Sequence, residues 1–361
     1  MVKNNNLPSE TGRRAETTPD VEVSHSSVSG RGRLGQTLRH LSAGLVRHWV
    51  TWAPALALVV LFLFFSVKDR QFSSAENVQA MAVAASIPMV LVTGMTFVIL
   101  MGAIDLSIEG VVAVGSVMVA LLVSNGRTNL AFGLAAIVVT ILFGGVFGAV
   151  NGLLNAKLRV PSFMATLATW SLGLGLAVIL MGPSPIVLVG TGLRSLTDIR
   201  WVGFAPEVFL GVGVIILGWI LERYTKFGRY ARAIGGDERV ARDAGLHIDR
   251  YKVYVFAFAG AMSALAGVML AAQLGVGDAG ASTGYLFSTI TAVVVGGTLL
   301  TGGRGGVLQS LVGVLIVTVL NNGMIELGIS PSWLTGIQGT LIVLAVVASN
   351  WPLREKLRIV K

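Results

Sequence analysis

Long apolar stretches separated by short polar segments make up most of the chain from residue 50 onward. A helix needs roughly 20 mostly apolar residues to span a bilayer, with a range of about 17–25. By that measure the pattern predicts ten spans, at 50–67, 80–101, 108–124, 130–151, 163–181, 205–222, 253–275, 285–301, 307–322 and 332–350. We therefore predict an all-α fold, a polytopic transmembrane helical bundle.

The eighth and ninth apolar stretches are short, and the segment 301–306 between them is mostly glycine. Two spans would fit this pattern. A re-entrant hairpin would fit it too, provided that protein or a water-filled cavity covers its backbone.

Three glycines in the fourth predicted span, Gly144, Gly148 and Gly152, share one helical face. This spacing lets two helix backbones approach closely in a membrane, where lipid offers no hydrophobic drive for helix association. It predicts tight packing against another helix rather than a ligand site.

The positive charges predict the orientation of the bundle. If the amino terminus is inside, 22 of the 27 Lys and Arg residues fall in cytoplasmic segments and 5 in external loops. Cytoplasmic loops carry the excess of positive charge, so we expect both termini in the cytoplasm. We predict a disordered cytoplasmic tail at 1–47, a transmembrane domain at 48–352 and a basic cytoplasmic tail at 353–361.

Composition agrees with a membrane protein, because 54% of the residues are hydrophobic and only 12% are charged, against about 25% charged in soluble domains. There is no cysteine, and the four histidines all lie outside the apolar stretches, so we expect no metal site. The net charge of +9 reflects cytoplasmic loops, and we expect no nucleic acid partner.

The longest internal polar segment, 223–252, carries eight basic and four acidic residues. Asp237 is placed as a helix N-cap and Gly245 as a helix C-cap, which predicts a helix of about two turns between them. The segment is either a solvated loop or a short, rigid contact for a partner protein.

Asp105, in the motif GAIDLS at 102–107, and Glu109 are the only acidic residues that we predict near the depth of a span. Asp105 is placed either to cap the following helix or to contact a solute. Because ion-coupled carriers keep costly intramembrane charges for function, the lack of others counts against such a carrier.

No Gly-Lys pair occurs in the chain, so it has no P-loop for binding ATP. We expect no cofactor on this chain, and any ATP would be bound by a partner.

Four blocks of sequence together resemble the ribose-type permeases of ABC importers, a family that also holds branched-chain amino acid permeases. They are AIGGDERVARDAG at 233–245, GAIDLS at 102–107, VPSFMATLAT at 160–169, and a run from AVVVGGT at 292–298 through TGGRG at 301–305 to NNG at 321–323. The resemblance covers about residues 50–350.

The resemblance implies an importer in the bacterial inner membrane. Two permeases, identical or sister copies, would pair around a shared pathway. Two cytoplasmic ATPases would each bind a coupling helix in a surface groove, and a periplasmic binding protein would deliver the solute. A monosaccharide or related polyol is the expected solute. Branched-chain amino acids, nucleosides and an ion-coupled secondary carrier remain alternatives.

The resemblance also assigns residues. Contact with the ATPase is expected at Gly235, Gly236, Asp237, Glu238, Ala241, Arg242 and Gly245. The pathway or its gate is expected among Asp105, Ser107, Thr166, Thr169, Gly296, Gly297, Thr298, Asn321 and Asn322. The sequence departs from the family pattern at Ala103, Glu109 and Glu326, so the identity of the solute does not transfer.

Overall fold

The computed structural model describes residues 52–128, 130–189 and 191–329, together with seven helical positions between 333 and 347. In chain order its helices are α1 (Trp52–Lys68), α2 (Ala75–Leu100), α3 (Ile108–Leu122), α4 (Leu134–Ala156), α5 (Ser162–Met181), α6 (Thr191–Asp198), α7 (Pro206–Tyr224), α8 (Lys226–Gly236), α9 (Glu238–Asp243), α10 (Ile248–Leu274), α11 (Tyr285–Val295) and α12 (Val307–Glu326), with a 3-10 turn at Arg70–Ser73. The predicted tails 1–47 and 353–361 and most of the tenth predicted span lie outside the described residues.

Five of the described helices are long and apolar enough to cross a membrane: α2, α4, α5, α10 and α12. The helices α7 and α8 meet the same criteria only as a pair, which is bent by 68° at its junction, and α1, α3 and α11 are shorter apolar helices. The predicted helical membrane bundle is confirmed, and nine of its ten predicted spans coincide with an apolar helix. The total of ten spans and the side of the membrane on which each terminus lies stay predictions.

Helix α11 is shorter than its predicted span, because it ends at Val295 and the chain from there to α12 is not helical. At about 1.5 Å per residue its 11 residues extend only about 16 Å, half of the hydrocarbon core. At its start the N–H of Gly284, the residue before the helix, donates a hydrogen bond to the carboxylate of Glu109 (3.2 Å). The non-helical stretch before α12 therefore begins within the predicted eighth span rather than after it.

The predicted packing of the three α4 glycines is confirmed by their contact with α10. A Cβ at Gly148 would overlap the carbonyl oxygen of Phe256, and one at Gly152 would lie 2.5 Å from the Cα of Val253. The two backbones are therefore in direct contact, which any larger residue at these positions would prevent.

The helices differ in how much of their surface is covered by protein. Both α2 and α10 are buried on nearly all sides, whereas α4 and α5 expose large apolar residues such as Leu142, Val146, Leu172 and Ile179. A helix that is apolar on every side and buried lies in the centre of a bundle. The exposed faces of α4 and α5 are suited to lipid or to another membrane subunit.

Four segments that we predict to be cytoplasmic meet at one end of the bundle. Gly102 and Gly302 both contact Gly235, and the segment 155–161 shares a groove with residues of α9 and α10. The helices therefore run in directions that bring these four segments to the same end of the bundle, as the charge pattern predicts.

Two short antiparallel strands at the opposite end of the bundle were not predicted: β1 (Ile186–Val187) and β2 (Val276–Gly277). The N–H of Leu188 extends the pairing to the carbonyl of Gly275 (3.0 Å). Both Ile186 and Leu188 are buried, so the pairing satisfies backbone groups that water does not reach. Two-residue strands carry no recognisable pattern, which is why an all-α prediction omits them.

Candidate functional site

The segment predicted to couple to a partner consists of α8, α9 and the first turn of α10, and we call it the coupling segment. It begins at the 68° bend after α7. Thr225 stabilises the bend, because its hydroxyl donates to the carbonyl of Leu221 (2.6 Å) and accepts from the N–H of Phe227 (3.1 Å). The same hydroxyl therefore terminates α7 and caps α8.

The end of α8 is held against the bundle by backbone contacts, which we call the glycine junction: Gly235, Gly102, Gly302, Gly303 and the carbonyl of Leu100. A Cβ at Gly235 would overlap the Leu100 carbonyl oxygen and lie 2.7 Å from the nitrogen of Gly303. The N–H of Gly303 donates to that same carbonyl (2.9 Å). The end of α2, the end of α8 and the loop before α12 thus touch without intervening side chains.

Both predicted caps of the short helix α9 are confirmed. The Asp237 carboxylate accepts from the N–H groups of Arg239 (2.9 Å) and Val240 (3.0 Å). At the other end Gly245 has φ +83°, and its N–H donates to the carbonyl of Arg242 (2.9 Å).

The next N–H, that of Leu246, donates to the carbonyl of Ala241 (3.1 Å). Together with the Gly245 bond this forms a Schellman motif, which favours glycine for its left-handed residue. The helix has six residues, so the hydrogen bonds of its two caps involve nearly all of its backbone.

Ion pairs fasten α9 to α10. The Glu238 carboxylate lies 3.0 Å from Lys252 Nζ and 3.2 Å from Arg242, and Arg242 lies 3.8 Å from Asp249. Partial burial alone would raise the pKa of Glu238, but the hydrogen bonds and positive charges of Lys252 and Arg242 outweigh it and lower that pKa below its ordinary value. The carboxylate is therefore charged at neutral pH.

The seven predicted ATPase-contact residues divide between two faces. Gly235 and Ala241 face the bundle and are covered by the chain itself. The other five are exposed: Gly236, Asp237, Glu238, Arg242 and Gly245. A Cβ at Gly236 would meet no described atom within 4 Å, so a partner's surface has room to approach there.

Two open grooves lie beside the coupling segment, with volumes of about 500 and 600 Å³. Both are bounded by Lys157 of the loop after α4, by Arg242 and by Asp249. They extend the exposed face of α9 into a concave, charged surface, which is the shape that a docking partner requires.

Four of the predicted pathway residues form or adjoin a polar cluster inside the bundle. One oxygen of the Asp105 carboxylate accepts from the N–H (2.8 Å) and hydroxyl (2.6 Å) of Ser107. The Ser107 hydroxyl accepts from the amide of Asn151 (2.9 Å), whose oxygen accepts from Thr169 (2.7 Å). Thr166 donates to the carbonyl of Ser162 one turn earlier (2.8 Å).

Of the two alternatives for Asp105, capping of α3 is not observed, because its carboxylate accepts from the N–H of Ser107, the residue before the helix. Its carboxylate is buried (1% exposed), and its second oxygen has no hydrogen-bond partner among the described residues. Residues 103–106 around it are not helical, and a membrane protein tolerates such backbone only where protein or a water-filled cavity covers it.

The second predicted group, Gly296, Gly297 and Thr298, lies at the interrupted end of α11. A Cβ at Gly296 would overlap the carbonyl of Gln309, so α11 and α12 are in backbone contact there. Thr298 accepts a hydrogen bond from the N–H of Gly306 (3.2 Å) and lies 3.4 Å from the hydroxyl of Ser310. The residues join the loop to the first turn of α12.

The third predicted group lies far from these residues along α12. Asn322 exchanges amide hydrogen bonds with Asn77 of α2 (2.9 and 3.0 Å). The side-chain oxygen of Asn321 is buried without a partner among the described residues. The nine predicted residues thus form three groups in the part of the chain that the structure describes, and their role in a pathway stays a prediction.

Sequence reasoning missed three buried polar residues. Glu207 is 1% exposed and Glu222 is 6% exposed, so Asp105 and Glu109 are not the only acidic side chains buried in the bundle. Both lie at the ends of a predicted span, where a charged residue does not by itself indicate burial. Asn151 also escaped attention, although an amide between Gly148 and Gly152 on a packing face is a usable signal.

Within the part of the chain that the structure describes, no group of three or more His, Cys, Asp or Glu side chains is placed to hold a metal ion. The polar groups of the site are hydroxyls, amides, carboxylates and the charged side chains of an exposed helix. Such an arrangement offers recognition and movement rather than bond chemistry.

Comparison with known proteins places these features in a family. Residues 77–346 match the family described as branched-chain amino acid transport system / permease component. The ribose import permease of Bacillus subtilis (strain 168) is 36% identical over 297 residues, covering 81% of this chain and 91% of the relative. The ribose import permease of Escherichia coli (strain K12) is 33% identical, covering 82% and 92%.

The L-arabinose transport system permease of Escherichia coli (strain K12) is 32% identical over 331 residues, covering 92% of this chain and 99% of the relative. No solved structure matches the chain. The similarity to all three permeases extends over nearly their whole length.

Proposed function

Because the chain belongs to the family of branched-chain amino acid transport system permease components, we propose that it is the membrane permease subunit of an ATP-driven importer for a monosaccharide. It is a transport subunit and not an enzyme, and ATP hydrolysis belongs to a separate subunit.

The observation that carries this function is the construction of the coupling segment. Helix α9 is capped at both ends by its own chain, so it keeps its shape without a partner. Its exposed face offers Gly236, Glu238 and Arg242 beside two open grooves. The end of α8, directly before α9, contacts the bundle through the glycine junction. A push on α9 is therefore delivered to the bundle rather than absorbed by a flexible loop.

The proposed partners are a cytoplasmic ATPase that takes α9 in a groove, a second permease and a periplasmic solute-binding protein. The proposed location is the bacterial inner membrane, with ten spans and both termini inside. In this scheme ATP closes the ATPases, the coupling segments move, and the pathway switches between inward and outward access.

A monosaccharide is preferred as solute because three permeases similar to this chain are named for ribose import and L-arabinose transport. The buried cluster agrees with a neutral polyol, since its hydroxyl and amide groups can exchange hydrogen bonds with sugar hydroxyls. The family description also names branched-chain amino acids, and leucine is therefore the competing solute to test.

The experiment is uptake into vesicles that contain this chain, its ATPase and its binding protein. We expect uptake of radiolabelled ribose or L-arabinose only when hydrolysable ATP, the ATPase and the binding protein are all present. Leucine uptake above sugar uptake would instead identify a branched-chain amino acid as the solute. Uptake by this chain alone, driven by an ion gradient, would overturn the function.

A further inference from the structure

An ion pair between a buried carboxylate and a partly exposed arginine joins α7, α8 and α12 close to the coupling segment. Arg232 of α8 donates to one oxygen of Glu222, near the end of α7. The second oxygen of Glu222 accepts from the N–H of Val307, the first residue of α12 (2.6 Å). Both carboxylate oxygens are thus occupied, each by a different helix.

The contact with α12 is close and specific. A Cβ at Gly306 would overlap the Glu222 carboxylate, so a side chain there would displace it. The carboxylate also lies at the positive end of the α12 dipole, which favours a negative charge. Arg232 reaches the same segment directly, because it donates to the carbonyl of Gly305 (3.2 Å).

Stability alone does not explain this pair. Taking the Glu222 carboxylate and part of the Arg232 guanidinium out of water costs free energy that their attraction often fails to repay. Ion pairs instead define one relative position of the elements that they join, because a displaced charge is left unpaired. The pair is thus suited to keeping two elements in register.

The position of the pair connects the two regions that sequence analysis linked to function. Arg232 lies one turn before Gly235 and Gly236, at the end of α8 that leads into α9. On the other side, the loop that the pair holds contacts Thr298 through the N–H of Gly306. Ser310, one turn into α12, bonds Thr96 of α2 (2.7 Å).

We propose that the Glu222–Arg232 pair is the link that carries movement of the coupling segment to the first turn of α12 and to Thr298. The glycine junction holds α8 against the bundle by shape, and the ion pair makes α8 and the start of α12 move as one unit. The two residues act by positioning, and neither contacts the solute. The inference rests on the proposed function.

Two variants break the link, and the first of them also keeps the side-chain size. Glu222→Gln keeps an oxygen for the N–H of Val307 but loses the charge, and Arg232→Gln removes the cation from a side chain that is 34% exposed. Each has a matched control in the same helix. Glu207→Gln changes another buried carboxylate of α7, and Arg229→Gln changes an exposed arginine of α8.

The first measurement is the ratio of solute imported to ATP hydrolysed by the assembled complex in vesicles. We expect this ratio to fall about tenfold in both link variants, within the range of coupling between distant sites, while ATP hydrolysis continues. Arg232→Lys, which retains the charge, is expected to restore most of the ratio. The two controls are expected to match the parent.

The second measurement uses the absence of cysteine from the chain. Spin labels at Arg229→Cys on α8 and Leu308→Cys on α12, both exposed, report the distance between the two helices. We expect that distance to stay constant when ATP is added to the parent, and to change with ATP in Glu222→Gln. A merely structural pair would not produce this difference.

An unchanged transport ratio in both link variants, or an ATP-dependent distance already in the parent, would overturn the link. Should Glu222→Gln fail to assemble, Arg232→Gln decides the question, because it leaves the bond from Val307 in place. A parent complex that imports nothing with ATP would instead contradict the proposed function. The two failures are therefore distinguishable.

Discussion

The coupling segment and the Asp105 cluster use polar side chains in opposite ways. Around α9, charged residues pair with one another at half-exposed positions, and water can replace either partner. Around Asp105, a single buried carboxyl group is met by neutral groups that are themselves hydrogen-bonded in a chain through Ser107, Asn151 and Thr169. The first arrangement tolerates displacement, whereas the second would leave buried groups without partners if it moved.

The comparison extends to the two neighbouring glycines at the end of α8. Gly235 is pressed against the backbone of the bundle, and Gly236 faces open space. The coupling segment is thus rigid on one side and accessible on the other. The predictions below test this contrast, from the largest expected effect to the smallest.

Gly235→Val is expected to be the most damaging change, because its Cβ would overlap the Leu100 carbonyl and no rotamer removes a backbone clash. Overpacking of this kind costs about 3 kcal/mol. The measurement is the yield and thermal unfolding of purified protein in detergent. Gly236→Val is the matched control and is expected to fold normally. Equal stability of the two variants would remove the distinction between the two faces.

Gly236→Trp is expected to leave folding intact and to reduce ATP-driven uptake at least about tenfold, equivalent to about 1.4 kcal/mol. The physical reason is that the new side chain occupies the space into which the ATPase must fit. Uptake and copurification of the ATPase are measured together. Gly213→Trp offers a control, because Gly213 of α7 also has open space around it but lies away from α9. Parent-level uptake would place the contact elsewhere.

Asp105→Ala is expected to destabilise the protein by about 2 kcal/mol, because the N–H and hydroxyl of Ser107 would lose their buried acceptor. Asp105→Asn keeps an acceptor oxygen, and a smaller loss is expected. Thermal unfolding in detergent measures both, with Ser171→Ala on the exposed face of α5 as the control. Reduced uptake by a fully stable Asp105→Asn protein would assign the residue to the pathway.

Glu238→Gln is expected to have the smallest effect, below about 1 kcal/mol, because exposed ion pairs contribute little. The folded-state pKa of Glu238 is lowered from the ordinary value of 4.5, so its stabilising contribution is present above that value and is lost as pH falls through the lowered pKa. The difference in unfolding temperature between parent and variant should therefore persist at pH 7 and vanish in stronger acid. It should also shrink in high salt.

Glu326→Gln is the control for that experiment, because Glu326 is an exposed carboxylate at the end of α12. A pH-dependent difference of the same size in this variant would show that the ion pairs around α9 contribute nothing specific.

Local signals predicted local structure well. Nine apolar stretches coincide with helices, since twenty apolar residues have few other stable arrangements in lipid. The caps at Asp237 and Gly245 were correct because each depends on hydrogen bonds within about five residues of chain. The packing of Gly144, Gly148 and Gly152 followed from their spacing on one helix.

Distant contacts were predicted poorly, for a physical reason. Glu222 belongs to no local sequence motif. Its partners Arg232 and Val307 are 10 and 85 residues away, and the sequence between them does not mark them as neighbours. The early end of α11 was missed because 296–301 continues the apolar composition, while the chain turns at Gly297 (φ +104°).

By itself, then, the sequence determined a helical membrane protein with a short capped helix in its longest polar segment. Composition and nearest-neighbour hydrogen bonds are sufficient for that. Only the tertiary structure decided that Gly235 contacts the backbone of the bundle and Gly236 is accessible, that the predicted pathway residues form three groups, and that Glu222 joins α8 to α12. These features depend on which backbones touch, and backbone contact is set by the packing of the whole bundle.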